Sequence, residues 1–156
     1  MGVAGAVKRW MYRDGRPNGL ARVLNRVSAA QYSAGILSPG TWVTLEVVGR
    51  TSGRVVSCPL VVTVHEGERY LCSMLGGSAN WVANVRAAHG DAVIRRGDRE
   101  PVRLVEVPVE ERAPILRRYL AVAPGARPHI PVNRHAPLAD FAAIAAEYPV
   151  FRINPR

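Results

Sequence analysis

Short glycine-containing turns between β-branched runs constrain the fold of this chain more than any other feature of its sequence. The valine-rich run 55–65 passes through Glu66 and Gly67 into the run 68–75, and a Gly-Asp pair joins two later runs in the same way. Such turns are typical of antiparallel hairpins, whereas parallel strands need a crossover of a dozen residues or more. The sequence therefore predicts an antiparallel sheet and argues against a parallel nucleotide-binding fold.

Strand and helix signals alternate in an order that suits a small barrel. Strands are predicted at 41–49, 55–65, 68–75, 91–96, 99–108 and 150–153. Apolar spacing predicts helices over 3–13, 20–27, 79–90, 109–125 and 138–148, and Pro114 marks a late start or a kink in the fourth. Six strands, mostly joined as hairpins with one helix inserted after the third, predict a mainly β, α+β fold: an antiparallel barrel with peripheral helices. We expect an N-terminal helical arm over 1–37 and a barrel domain over 38–156.

The net charge of +9 comes almost entirely from arginine, because Lys8 is the only lysine. Arginine suits bidentate contact with phosphate and carboxylate groups. The arginines are spread along the whole sequence without a recognition-helix signature, which argues against a nucleic-acid partner. An acidic small molecule or an anionic membrane surface remains as a partner, and the basic helix over 3–13 is the candidate membrane contact.

Cysteine usage and hydropathy indicate a cytoplasmic protein, with membrane association through 3–13 as the alternative. Cys58 and Cys72 are the only cysteines, and neither a CxxC pair nor a histidine pattern accompanies them, so no metal site is expected. Two reduced thiols suit the cytoplasm. The N-terminus lacks the long apolar segment of a signal peptide, and no apolar run is long enough to span a bilayer.

Two glycine-containing segments are candidate anion sites. GRTSGR, residues 49–54, offers two guanidinium groups and two hydroxyls in a flexible turn, although a solvated hairpin turn explains it equally well. SMLGGSANW, residues 73–81, lets a ligand approach the backbone at its glycines, and Ser78 is placed to cap the helix that follows. A conventional catalytic set is missing, since no acid pair or G-x-S-x-G motif occurs. An enzyme built from this chain would depend on a cofactor.

Three separated motifs resemble one family. They are VTLEVVGRTSGRVVSCPLVV, then GERYLCSMLGGSANWVANVRAA, then EYPVFRI, within residues 41–152. Together they resemble the deazaflavin-dependent nitroreductase family, which are oxidoreductases that use coenzyme F-420. The resemblance implies a split antiparallel β-barrel of the FMN-binding type and F-420 as the cofactor, with FMN as the alternative.

The resemblance also implies which residues line the coenzyme. They come from the 49–54 turn, the strand after it, the glycine loop and the next helix: Arg50, Thr51, Ser52, Arg54, Val56, Ser57, Cys58, Pro59, Leu60, Val61, Met74, Leu75, Gly76, Gly77, Asn80, Trp81, Asn84 and Val85. Trp81 would pack near the ring system and Asn84 near polar groups. An ordinary core aromatic and a helix-surface residue are the structural alternatives for these two.

The chain departs from the best-understood nitroreductases at three positions. Thr51 and Leu75 stand where those proteins carry lysine, and Val56 stands where they carry arginine. Those cations help to hold the phosphate and the acidic tail of the coenzyme. Arg50, Arg54, Lys8, Arg9 and Arg13 are the candidates to compensate for them.

The predicted function is hydride transfer from reduced F-420 to an electron-poor acceptor: a quinone, an enone or a nitroaromatic. Candidate proton donors are Ser73, Tyr119 and Tyr148, and core packing is the structural alternative for each. The loop 127–137 is expected to cover the acceptor, with His129 and His135 facing it. A non-catalytic protein that binds or sequesters a deazaflavin, FMN or a hydrophobic metabolite is the alternative function. Pairing into a homodimer is expected by analogy with the family.

Overall fold

A computed structural model describes residues 42–156, so the helical arm predicted over 1–37 lies outside the described residues. The described residues form six antiparallel strands that close into a barrel in the order β1-β2-β3-β6-β5-β4. The strands are β1 (Trp42–Val48), β2 (Val55–His65), β3 (Glu68–Cys72), β4 (Asp91–Arg96), β5 (Asp98–Glu106) and β6 (Val150–Pro155). The predicted fold class is confirmed.

The helices of the described part surround this barrel. They are α1 (Asn80–Ala87), α2 (Ala113–Val122) and α3 (Leu138–Ile144). Pro114 lies in the first turn of α2, where its missing N–H costs nothing, and a separate 3-10 turn occupies Val109–Glu111. Of the two readings of this proline, the late start is therefore confirmed.

The hairpin signals and the proline in β2 both have a local structural cause. Glu66 and Gly67 have φ values of 50° and 78°, the positive values that a two-residue hairpin turn requires. Residues 55–61 of β2 pair with β1, and pairing with β3 begins only at Val62. Pro59 thus lies where β2 has one paired side among the described residues, which is where a strand tolerates a residue without an N–H.

Two hydrophobic cores lie on opposite sides of the barrel wall. Alternate residues of all six described strands, such as Leu45 and Val102, fill the inside. Val82 and Val85 of α1 join this inner core, and a helix reaches the inside of a closed barrel only at an open end, so α1 packs across one end. An outer core on the opposite side of the wall joins β2, β3 and β6 to α2 and α3, with Phe141 completely buried.

Both thiols are free. Burial raises the pKa of Cys58 to about 12 and that of Cys72 still further. Both side chains are therefore neutral thiols at physiological pH, which makes them poor nucleophiles and poor metal ligands.

Candidate functional site

The 49–54 turn is a closed, internally bonded loop between β1 and β2. The Gly49 N–H donates to the Arg54 carbonyl at 2.7 Å, and the Gly53 N–H donates to the Gly49 carbonyl at 2.9 Å. The Ser52 hydroxyl accepts from the Arg54 N–H at 3.1 Å, so it orders the turn itself. Thr51 is exposed at the tip.

Arg50 fastens this turn to α1. Its backbone N–H donates to Asn84 Oδ1 at 3.0 Å, and its Nη1 donates to the same oxygen at 2.8 Å and to Asn80 Oδ1 at 2.9 Å. Asn84 is only 2% exposed. Its amide oxygen is therefore committed to Arg50, and Asn84 acts by holding the turn in place rather than by facing solvent.

Arg54 is the turn arginine whose charge is available to a ligand. It is exposed, and among residues 42–156 it makes no ion pair. An exposed guanidinium without a carboxylate partner can bind a phosphate or carboxylate group of an incoming molecule. Arg54 is therefore the described residue best placed to replace the cations that this chain lacks at Thr51, Val56 and Leu75.

The glycine loop is seated tightly against the chain that precedes β6. The Ser73 N–H donates to the Pro149 carbonyl at 3.0 Å, and the Ser73 hydroxyl donates to the Gly76 carbonyl at 2.7 Å. Gly76 has a φ of +81°, and a Cβ there would lie 3.0 Å from the Glu147 carbonyl oxygen. Only glycine meets both conditions without strain.

These contacts correct two predictions about serines. Ser73 is 0% exposed and is not among the residues that line the cavity described below, so its hydroxyl does not meet a substrate there. Ser78 lies in the 3-10 turn Gly76–Ser78, and the N-cap of α1 is Ala79, which makes no side-chain hydrogen bond.

Residues from three of the predicted segments converge at one end of the barrel. Leu60 from β2, Leu75 from the loop and Trp81 from α1 are all partly buried and pack against the inner core. The Trp81 ring lies 5.6 Å from the Phe151 ring at an angle of 58°. Val56 is 37% exposed on the same strand. We call this candidate coenzyme surface the β2–α1 cleft: Arg54, Val56, Cys58 and Leu60, residues 74–77, and Asn80 and Trp81, whereas Ser57 and Pro59 alternate with them on the other side of β2.

Not every predicted lining residue faces this cleft. Successive residues of a strand point to opposite sides, so Leu60 packs on the inner core while Val61 packs on the outer core beneath α2. Val85 is 1% exposed inside the barrel end. These two residues support the cleft from behind and have no surface to offer a ligand.

A cavity of about 350 Å³ adjoins the glycine loop. Its lining residues are Met74, Leu75, Gly76, His129, Glu147 and Tyr148. The Tyr148 hydroxyl donates to the His129 carbonyl at 3.2 Å, and burial, followed by the nearby Glu147 charge, raises the Tyr148 pKa. The phenol therefore stays protonated at neutral pH, and it would have to exchange the His129 carbonyl for another acceptor to donate its proton elsewhere.

Two other predicted residues, the candidate proton donor Tyr119 and the acceptor-facing His135, do not line the cavity. Tyr119 lies on the buried side of α2, is 5% exposed in the outer core, and has a pKa that burial raises strongly. His135 is exposed, and its backbone N–H donates to Asn133. Sequence reasoning missed Glu147, because no local pattern indicates that the turn before β6 meets the loop after β3.

Residues 42–156 hold no group of three metal-ligating side chains. None of the helices in that range has the length and hydropathy needed to cross a membrane.

A closed six-stranded antiparallel barrel with helices packed around it is the architecture of the small split-barrel class. The chain belongs to the F420H2-dependent quinone reductase family, whose model matches residues 22–138. This family consists of oxidoreductases that use coenzyme F-420. The predictions of an oxidoreductase and of F-420 as its cofactor are therefore confirmed.

Solved structures share the fold at low sequence identity. A protein of unknown function from Agrobacterium tumefaciens matches with a TM-score of 0.54 and 12% identity over 74% of this chain, which spans 48% of that protein's length. An F420-H2 dependent reductase matches with a TM-score of 0.50 and 18% identity over 73% of this chain and 94% of its own. A third structure, described as a domain-swapped dimer, has a TM-score of 0.52 and 18% identity over 86% of this chain and 96% of its own. No protein of curated function matches the sequence at a significant level.

Proposed function

We propose that the protein transfers a hydride from reduced F-420 to an electron-poor acceptor, with a quinone as the first choice and enones or nitroaromatics as further acceptors. The observation that carries this proposal is that Leu75 and Gly76, two residues of the predicted coenzyme site, also line the 350 Å³ cavity. A coenzyme over the glycine loop and an acceptor in the cavity would both contact these two residues. Direct transfer requires donor and acceptor carbons to approach to about 3–3.5 Å, so the two ligands would meet at the loop with no side chain between them.

The residues of the cleft suit a planar, acidic coenzyme. The exposed part of Val56 and the partly buried Trp81 provide apolar surface for a ring system. Arg54 provides a cation for a phosphate or carboxylate, and Thr51 provides an exposed hydroxyl. When bound, reduced F-420 supplies the hydride.

The cavity residues would orient the acceptor and complete its reduction. Met74 and Leu75 offer apolar contact to an aromatic or quinone ring, and Tyr148 offers a proton. Reduction of a quinone to a hydroquinone consumes one hydride and one proton. Tyr148 can deliver that proton to the oxygen that becomes negative and recover it from water.

A coenzyme titration followed by turnover tests this function. Purified full-length protein is titrated with F-420 and, separately, with FMN, and then mixed with reduced F-420 and menadione while the coenzyme absorbance is followed. We expect saturable F-420 binding and menadione-dependent oxidation. Saturable binding without oxidation would indicate the binding-protein alternative, and tight binding of FMN alone would refute the coenzyme assignment at this site.

Tyr148→Phe should lower kcat for menadione reduction about tenfold or more, because general acid catalysis contributes at least that much where water substitutes poorly. The binding of F-420 should not change, since Tyr148 lines the cavity and not the cleft. Tyr119→Phe is the matched control: it removes the same hydroxyl from a buried residue of α2 that does not line the cavity, and it should leave kcat unchanged. Equal kcat values for the two variants would exclude Tyr148 as the proton donor.

The assembly and location of the protein remain predictions. A homodimer is supported by a similar structure described as a domain-swapped dimer. Membrane contact through residues 3–13 and a cytoplasmic location rest on sequence alone. Liposome pelleting of full-length protein and of protein lacking residues 1–13 tests the membrane contact, and unchanged pelleting would remove it.

A further inference from the structure

One carboxylate, Glu106 at the end of β5, joins two arginines from different parts of the chain. Arg86 in the last turn of α1 meets it with two parallel hydrogen bonds, Nε to Oε1 at 3.0 Å and Nη2 to Oε2 at 2.7 Å. Arg112 at the start of α2 donates from Nη2 to the same Oε2 at 3.1 Å. Hydrogen bonding from Arg86 lowers the Glu106 pKa, so the carboxylate is charged at neutral pH.

Arg112 extends this connection to the turn before β6. It is 5% exposed, and its remaining donors are used on backbone carbonyls: Nε to Val107 at 2.8 Å and Nη1 to Ala145 at 3.1 Å. Ala145 begins the 3-10 turn Ala145–Glu147, and Glu147 and Tyr148 from this region line the cavity. The buried guanidinium therefore fixes the turn that carries the proposed proton donor.

Taken together, these contacts run from one wall of the proposed site to the other. The helix that carries Trp81 and the Arg50-binding asparagines is bound through Arg86 to Glu106. The turn that carries Tyr148 is bound through Arg112 to the same carboxylate. We propose that Glu106 is a positioning residue that holds the coenzyme-side helix and the acceptor-side turn in a fixed relation; this role rests on the proposed function.

Stability alone is a weak explanation for this arrangement. Exposed ion pairs such as Arg86–Glu106, whose side chains are 48% and 32% exposed, contribute little to the free energy of unfolding. Even a buried ion pair can often be replaced by apolar residues of similar volume without loss of stability. The rate of a transfer reaction is far more sensitive, because a misplacement of about 1 Å can lower it about a hundredfold.

The protein offers a closely matched control pair on another part of the barrel. Arg69 and Glu100 form the same two-bond arrangement at 2.9 and 2.7 Å, with side chains 37% and 40% exposed. Neither residue belongs to the cleft, the cavity or the Glu106 contacts. Arg69→Ala therefore reproduces the loss of a bidentate surface pair without touching either wall of the site.

Arg86→Ala and Arg69→Ala are compared in the full-length protein. Arg86 is exposed and Glu106 keeps Arg112, so Arg86→Ala leaves no buried charge unpaired and should fold. We expect a similar small change in thermal midpoint for both variants. Only Arg86→Ala should lower the single-turnover rate constant for F-420 oxidation, by about tenfold, with KM for menadione nearly unchanged. Equal rate constants for the two variants would overturn the positioning role.

Hydrogen exchange without any ligand separates this inference from the proposed function. Arg86→Ala should speed amide exchange in α1 about tenfold and leave residues 145–148 unchanged, whereas Glu106→Gln should speed exchange in both segments. Exchange unchanged in both segments of Glu106→Gln would sink the positioning role even if the wild-type protein is active. A wild-type protein that neither binds nor oxidises F-420 would refute the proposed function while the exchange result still decides whether Glu106 joins the two segments.

Discussion

Gly90→Ala should destabilise the protein by about 3 kcal/mol or more, a large loss for the addition of a single methyl group. Gly90 has a φ of +86°, and a Cβ at this position would clash with the carbonyl oxygen of Leu104. The residue cannot move away, because its N–H donates to Val85 at 2.9 Å and its carbonyl accepts from Leu104 at 2.8 Å. The change therefore combines backbone strain with a steric conflict where α1 passes into β4.

Urea unfolding of the wild type, Gly90→Ala and Gly67→Ala measures this effect. Gly67 has a similar φ of +78°, and an added Cβ there would meet nothing within 4 Å. Gly67→Ala should therefore cost only the strain of the left-handed backbone, about 1–2 kcal/mol. Equal losses for the two variants would show that the contact with Leu104 relaxes freely, contrary to this prediction.

Asn84→Ala should weaken F-420 binding about tenfold or more and is the substitution with the largest expected effect on the cleft. It removes the one oxygen that accepts both the backbone N–H and the Nη1 of Arg50. A hydrogen-bond donor left without its acceptor destabilises the docked position of the turn by about 1–3 kcal/mol. A loss of 1.4 kcal/mol corresponds to a factor of ten in affinity. The 49–54 turn would then leave α1, and Arg54 would leave its place beside the cleft.

Asn80→Ala is the control for this prediction. It removes one acceptor from Arg50 Nη1 but leaves both bonds to Asn84, so the turn should stay docked. Fluorescence titration with F-420 at two salt concentrations measures both variants. We expect Asn84→Ala to lose affinity and salt dependence together, because the displaced charge is that of Arg54. If Asn80→Ala loses as much as Asn84→Ala, the backbone bond to Arg50 is not what holds the turn.

The parts of the fold that sequence predicted are those with a local cause. The Glu66 and Gly67 turn and the late start of α2 at Pro114 each follow from the backbone limits of a few neighbouring residues. The cap assigned to Ser78 failed because the loop tightens into a 3-10 turn before α1 begins. Its hydroxyl is one residue too early to meet the free N–H groups of the helix.

The site was predictable only as far as its motifs extended. The resemblance named Arg50, Asn80 and Asn84, but their mutual bonds became evident only when α1 was placed against the turn. The cavity depended on a contact that no sequence pattern carries, the pairing of β3 with β6. Glu106 and Arg86 lie 20 positions apart along the chain, and Arg112 and Ala145 lie 33 positions apart, separations that no periodicity indicates.

The 3-10 turn Ala145–Glu147 leads almost directly into β6, and this limits how the chain length can vary among family members at this point. Glu147 and Tyr148 are followed almost at once by Val150, which is already paired with Cys72 in the closing strand. An insertion or deletion in this stretch would shift the register of β6 and open the wall. New acceptor preferences in relatives should therefore arise by exchange of side chains at these positions, while changes of length accumulate in the 124–137 loop.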